Sequence, residues 1–155
     1  MASGGIHVVS GFTVGAMARS RLSAFVGGVL SHVVLDAVPH RDYPSWTANA
    51  IETAGGVVLA VVFAKGLSRE RRDQAFFGAL GAMTPDIETI AHKAGWLPAD
   101  RKLFPTHSGA IVHGRGGPVS TFLLSVASIA LAIYAVRIVR VGAGIPASQP
   151  RRPGK

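Results

Sequence analysis

The chain contains no cysteine, which excludes a disulfide framework, a thiolate metal site and a cysteine nucleophile, and leaves the redox compartment undetermined. Charge is scarce as well: 15% of the 155 residues are Asp, Glu, Lys or Arg, where a soluble domain carries about 25%. Only eight residues are acidic, and aromatics make up 7%. The sixteen Lys and Arg raise the formal net charge to +8, yet they stand in short clusters between apolar stretches instead of along one periodic face. Such spacing belongs to the loops of a membrane protein more than to a phosphate-binding stripe, so nucleic acid is not an expected partner. A Gly-rich phosphate loop of the GxxxxGK type is missing too, which leaves nucleotide hydrolysis without support.

What the sequence does hold is apolar. Hydrophobic residues make up 48%, arranged in five stretches at 4–18, 22–38, 50–64, 74–90 and 118–136. The last, PVSTFLLSVASIALAIYAV, is free of charge and at ~1.5 Å per residue almost crosses a ~30 Å hydrocarbon core. The other four reach ~22 to 26 Å, the size of tilted partners in a thin bundle or of buried helices in a soluble protein. GGVLSHVVLDAV, TAGGVVLAVVFA and FFGALGAM mix small with branched residues, which lets helix backbones approach closely. The expected fold is therefore all-α, a compact polytopic membrane bundle of about five helices over residues 1–141. A basic tail rich in Pro, Gly and Arg, residues 142–155, is expected to be disordered. MASGGIH lacks a basic n-region, so a signal peptide is not expected.

Alternating helices sort the charges. Arg19, Arg21, Lys65, Arg69, Arg71, Arg72, Arg137, Arg140, Arg151, Arg152 and Lys155 fall on one side, and Arg41, Lys93, Arg101, Lys102 and Arg115 on the other. The positive-inside rule then puts the first side, with the C-terminus, in the cytoplasm.

Ionisable groups within apolar segments cost roughly 2.5 to 3.5 kcal/mol each on insertion scales and so face a partner, a cavity or an ion. In SHVVLDAVPHRDYP, His32 and Asp36 lie one helical turn apart, and Pro39 ends the helix and lets His40 and Asp42 turn back. A His and a carboxylate on one face suit a divalent metal, although a buried His to Asp hydrogen bond gives the same spacing. In GALGAMTPDIETIAH, Asp86 and Glu88 either take part in a metal site or follow Thr84 as the cap of a new helix beginning after Pro85. LFPTHSGAIVHGR holds His107 and His113 across a Gly-rich loop, where two idle histidines are the plain alternative, and Ser108 suits a supporting hydrogen bond. His92, beside Lys93, is expected in a solvated loop. All of these except His92, together with His7 in GIHVVSG, map to the end of the bundle away from the basic loops.

These motifs resemble those of the bacterial inner-membrane-associated metal-dependent hydrolases, the LexA-binding type. The elements are IH at 6–7, TPDIE at 84–88, PTHSG at 105–109 and GGVLSHVVLDAVPH at 27–40, spread over residues 5–115. The SHxxxD element precedes PDIE here, the reverse of that family's order, and the HRG that leads into THS is missing. The resemblance implies a hydrolase in the bacterial inner (plasma) membrane and touches His7, His32, Asp36, Asp86, Glu88 and His107. The membrane phosphatases with a histidine nucleophile are excluded, because KxxxxxxRP is missing and PSGH is reversed.

The sequence thus predicts an integral membrane protein whose divalent metal, Zn, Mn or Fe and one or two ions, activates water for hydrolysis of a phosphoester or lipid-derived substrate. His7, His32, Asp36, Asp86 and His107 are the expected ligands. Glu88 is a ligand or general base, and His40 and His113 are outer ligands or proton donors. The alternative is a non-catalytic metal-binding or metal-transporting membrane protein, which predicts ionisable groups through the depth of the bundle.

Overall fold

The structure, a computed structural model, describes residues 4–40, 45–108, 110, 114 and 116–143. Among them are six α-helices and no strand: α1 (Gly4–Met17), α2 (Arg21–Ala37), α3 (Trp46–Ala64), α4 (Arg69–Lys93), the single turn α5 (Pro105–Ser108) and α6 (Pro118–Ala143), with a 3-10 turn at Ala99–Arg101. The five apolar stretches thus become the five long helices of an all-α fold. α6 runs two residues past the expected boundary at 141, and 144–155, the rest of the expected tail, lie outside the described residues. So do Arg41, Asp42, His113 and Arg115.

Serine starts three of the helices. Ser20, Ser45 and Ser68 each accept the backbone N–H three residues on, and Ser20 and Ser23 form a reciprocal capping box. α2 stops at Ala37 with Val38 extended, as the approach of Pro39 requires. α4 ends at Gly95, whose φ of 76° only glycine adopts without strain.

One expectation fails on α4. No new helix begins after Pro85: α4 passes through it without a break, so neither Thr84 nor Asp86 is a cap, and the Thr84 hydroxyl donates to the Leu80 carbonyl. An interior proline costs about 3 kcal/mol. Here the helix on both sides of Pro85 is packed against α1 and α2, and that burial offsets the cost. His92 accordingly stands in the last turn of α4, half-buried, not in a solvated loop.

α1 is the hub. Ten of its 14 residues are buried, and it packs on α2, α3, α4 and α6. Glycine makes the closest crossings possible: a Cβ on Gly78 would lie 2.2 Å from the Gly11 carbonyl oxygen, and one on Gly28 would lie 2.0 Å from that of Gly78. Below these crossings Phe12, Ala16, Ala60, Ala64, Ala75 and Val136 form the apolar core.

The basic loops meet at one end. Arg21 pairs with Asp73 at 2.6 Å, Arg71 donates to the Ala18 carbonyl and Arg140 to the Gly66 carbonyl, tying the α1–α2 loop, the α3–α4 loop and the end of α6 together. Two helices, α3 and α6, are long and apolar enough to cross a membrane. Both pack on α1 and scarcely on each other, and they expose Val57, Val58, Val61, Val62, Phe122, Leu123, Leu131 and Tyr134.

Candidate metal centre

At the end opposite the basic loops, α1 contributes His7, α2 contributes His32 and Asp36, the chain after Pro39 contributes His40, α4 contributes Asp86 and α5 contributes His107. Helical spacing puts His32 and Asp36 on one face, and that face meets α1 and α4 because Gly28, one turn earlier, lets the backbones touch.

Asp36 is at the centre, with 0% exposure. Its Oδ2 lies 3.2 Å from His32 Nε2 and 3.4 Å from His107 Nε2, and its Oδ1 lies 3.4 Å from His7 Nε2. The His7 and His32 rings stack at 4.0 Å, His107 stands edge-on to His32 at 5.5 Å and His40 edge-on to His7 at 5.9 Å. Two overlapping ligand groups result, each with its ligand atoms within 4.8 Å of one another: His7, His32 and Asp36, and His32, Asp86 and His107.

The protonation chemistry of His32 is informative. Its Nδ1 lies 2.6 Å from the Ala82 carbonyl oxygen, which can only accept, so Nδ1 carries the proton. In a neutral ring Nε2 then presents a lone pair, and that lone pair faces a carboxylate oxygen. In that tautomer two acceptors converge in a dry interior, a contact that either a second proton on the ring or a metal cation between the two atoms would relieve. A proton on Nε2 would give a charge-assisted hydrogen bond of about 2.7–2.9 Å. The separations here are 3.2–3.4 Å, and His32 Nε2 makes no hydrogen bond. Ligand atoms about 2.0–2.1 Å from a zinc ion in a tetrahedron stand about 3.4 Å apart, so the donor set fits a divalent cation.

Three of the rings, His32, His40 and His107, are also oriented from behind, as metal-binding imidazoles are, whereas His7 Nδ1 makes no hydrogen bond. Besides the His32 bond, His40 Nδ1 donates to the Val38 carbonyl at 2.8 Å, and His107 Nδ1 lies 3.1 Å from the Thr89 hydroxyl.

Glu88 does not join the cluster. Two residues apart on an unbroken helix, Asp86 and Glu88 point to different faces. The two Glu88 oxygens accept the backbone N–H groups of Leu103 and Phe104, so this carboxylate, expected as a ligand or base, fastens the segment that leads into His107. Ser108 is exposed and donates to Pro105 within its own turn. His113 and Asp42 lie outside the described residues.

Three residues that the sequence did not point to act here. Thr89 orients His107. Glu52 and Asn49, at the start of α3, accept the Gly5 and Gly4 N–H groups at 2.6 and 3.4 Å, capping the helix end that carries His7. The signal was present in the polar Asn49, Glu52 and Thr53 at the head of an apolar helix. Comparison with known proteins finds no matching family model, no matching curated protein and no matching solved structure.

Proposed function

We propose that the chain is an integral membrane protein of the bacterial inner membrane, a five-helix bundle with its C-terminus in the cytoplasm, and that its non-cytoplasmic end holds a divalent metal serving hydrolysis. The observation that carries the metal is Asp36: a buried carboxylate met at 3.2–3.4 Å by three imidazole Nε2 atoms from three separate elements, the spacing of ligand atoms around one cation. The membrane reading is supported by the apolar surface of α3 and α6, since soluble proteins keep such patches small, and by the gathering of arginine at one end. The motif resemblance to the inner-membrane hydrolases agrees with both.

His7, His32, Asp36 and His107 would hold the metal, with Asp86 as a further ligand or bridge to a second ion. A bound divalent cation supplies a Lewis acid that makes a water molecule acidic near neutral pH. Asp86, half-buried beside His32 and His107, is the residue suited to accept that water's proton, a role the sequence assigned to Glu88. His40, at the His7 edge, is suited to protonate a leaving oxygen. The substrate class is a phosphoester or other ester of a lipid-derived molecule. Transport is the weaker reading, because the core beneath the cluster is Phe12, Ala16, Ala60 and Val136, with no chain of ionisable groups to carry an ion onward among the described residues.

Metal analysis of the detergent-purified protein tests this. About one or two equivalents of Zn, Mn or Fe are expected in the wild type and none in Asp36→Ala or His107→Ala of retained helicity. Full metal retention in both variants would refute the site.

A further inference from the structure

Both tryptophans and a leucine stand exposed on segments that border the metal centre in the chain. Trp46, the first residue of α3, is 51% exposed, Trp96 80% and Leu103 86%, and the chain has only two tryptophans. The loop after α4, which with Trp46 makes up this rim, is rigidly built. Gly95 closes α4 in a Schellman turn, with the Trp96 N–H on the Ala91 carbonyl and the Gly95 N–H on that of His92. His92 Nδ1 donates to the Leu97 carbonyl, and Glu88 grips Leu103 and Phe104. A fixed backbone therefore holds a nearly bare indole and a leucine outward, which water penalises in proportion to their apolar area.

Cations accompany them. Lys93 Nζ stands 5.3 Å over the Trp46 ring, and Arg101 and Lys102 follow in the same loop, against Asp100 as the one carboxylate between residues 93 and 104. Indole with lysine or arginine is the composition of a membrane interface, where the ring sits among head groups and the cation meets lipid phosphate. The rim is continuous with α3, which is long and apolar enough to span, and with the segment Leu103 to His107 that enters the metal centre.

We propose that this rim seats in the head-group layer of the bilayer and binds anionic lipid head groups, holding the metal centre at the depth of lipid ester and phosphate bonds. The inference rests on the membrane and metal readings above and narrows the substrate to an amphiphile cleaved at its head group.

Trp46→Phe leaves Trp96 as the one tryptophan of the full chain. In phosphatidylcholine vesicles its emission is expected to be blue-shifted, and quenched more by lipid brominated high on the acyl chain than near the terminal methyl. Brominated phosphatidylglycerol should quench more strongly than equally brominated phosphatidylcholine. Arg101→Ser with Lys102→Ser should lower that preference, by about fivefold per cation removed, while bound zinc is unchanged. Emission at the water wavelength, quenched by acrylamide and untouched by brominated lipid, overturns the proposal, and so does an unaltered phosphatidylglycerol preference in the double variant. Alkaline carbonate extraction separates the two levels of failure. A chain that stays in the membrane with Trp96 in water sinks this inference alone; a chain that is released sinks the membrane reading with it.

Discussion

Asp36 is a residue whose charge the fold must answer. A carboxylate at 0% exposure is tolerated only with a cation at hand, and of the imidazoles around it His32 is held from behind by the Ala82 carbonyl and His107 by the Thr89 hydroxyl. Asp36→Asn keeps the shape and removes the charge, so it should fold, by circular dichroism, and purify without stoichiometric metal. Thr89→Val, which removes only the hydroxyl behind His107, should bind zinc about 10- to 100-fold more weakly in a chelator competition, with the helix content unchanged. An unaltered zinc affinity would show that the hydroxyl does not set the ring. At this scale the sequence was partly legible: the one-turn spacing of His32 and Asp36 announces a shared face. Glu88 instead accepts two backbone N–H groups, because the face a carboxylate takes depends on whether Pro85 breaks the helix, and that is decided by packing.

Among the elements, α1, α2, α3 and α4 meet at glycines, with Gly56 of α3 against the backbone of Gly5, whereas α6 makes no such crossing among the described residues. A side chain at Gly78 meets the backbone of Gly11 and Gly15 below 3.0 Å, whereas a Cβ on Gly55 of α3 meets nothing within 4 Å. Gly78→Val should cost about 1–3 kcal/mol or prevent assembly, and Gly55→Ala should be neutral or stabilising by up to about 1 kcal/mol through helix propensity alone. Thermal unfolding in detergent reads both, and equal effects would mean that the glycine crossings do not hold the bundle together. All five long helices were visible as apolar stretches, and their starts at Ser20, Ser45 and Ser68 follow from local capping chemistry. The single turn α5 was not, because four residues carry no periodicity and its position is set from outside by Glu88.

For the whole molecule, the metal is expected to act as a cross-link between α1, α2, α4 and α5. Chelation should lower the melting temperature, and zinc at 100 times its Kd should restore about 2.7 kcal/mol. Acidification should have the effect of chelation, since protons compete for the imidazole and carboxylate ligands, and bound zinc measured against falling pH should decrease. Orientation is testable because the chain lacks cysteine: Ser68→Cys should react with an impermeant maleimide only after cells are opened, and Ala99→Cys in intact spheroplasts. The reverse pattern would invert the proposed topology. From the sequence alone follow the helical class, the split of basic from acidic and imidazole-bearing loops, and the His32 to Asp36 pair, because periodicity, capping and charge are local properties of a chain. The meeting of His7, Asp86 and His107 around Asp36, the diversion of Glu88 and the rigid bareness of Trp96 were decided by tertiary structure, since each depends on how close glycine lets distant backbones come and on which face of an unbroken helix a side chain leaves.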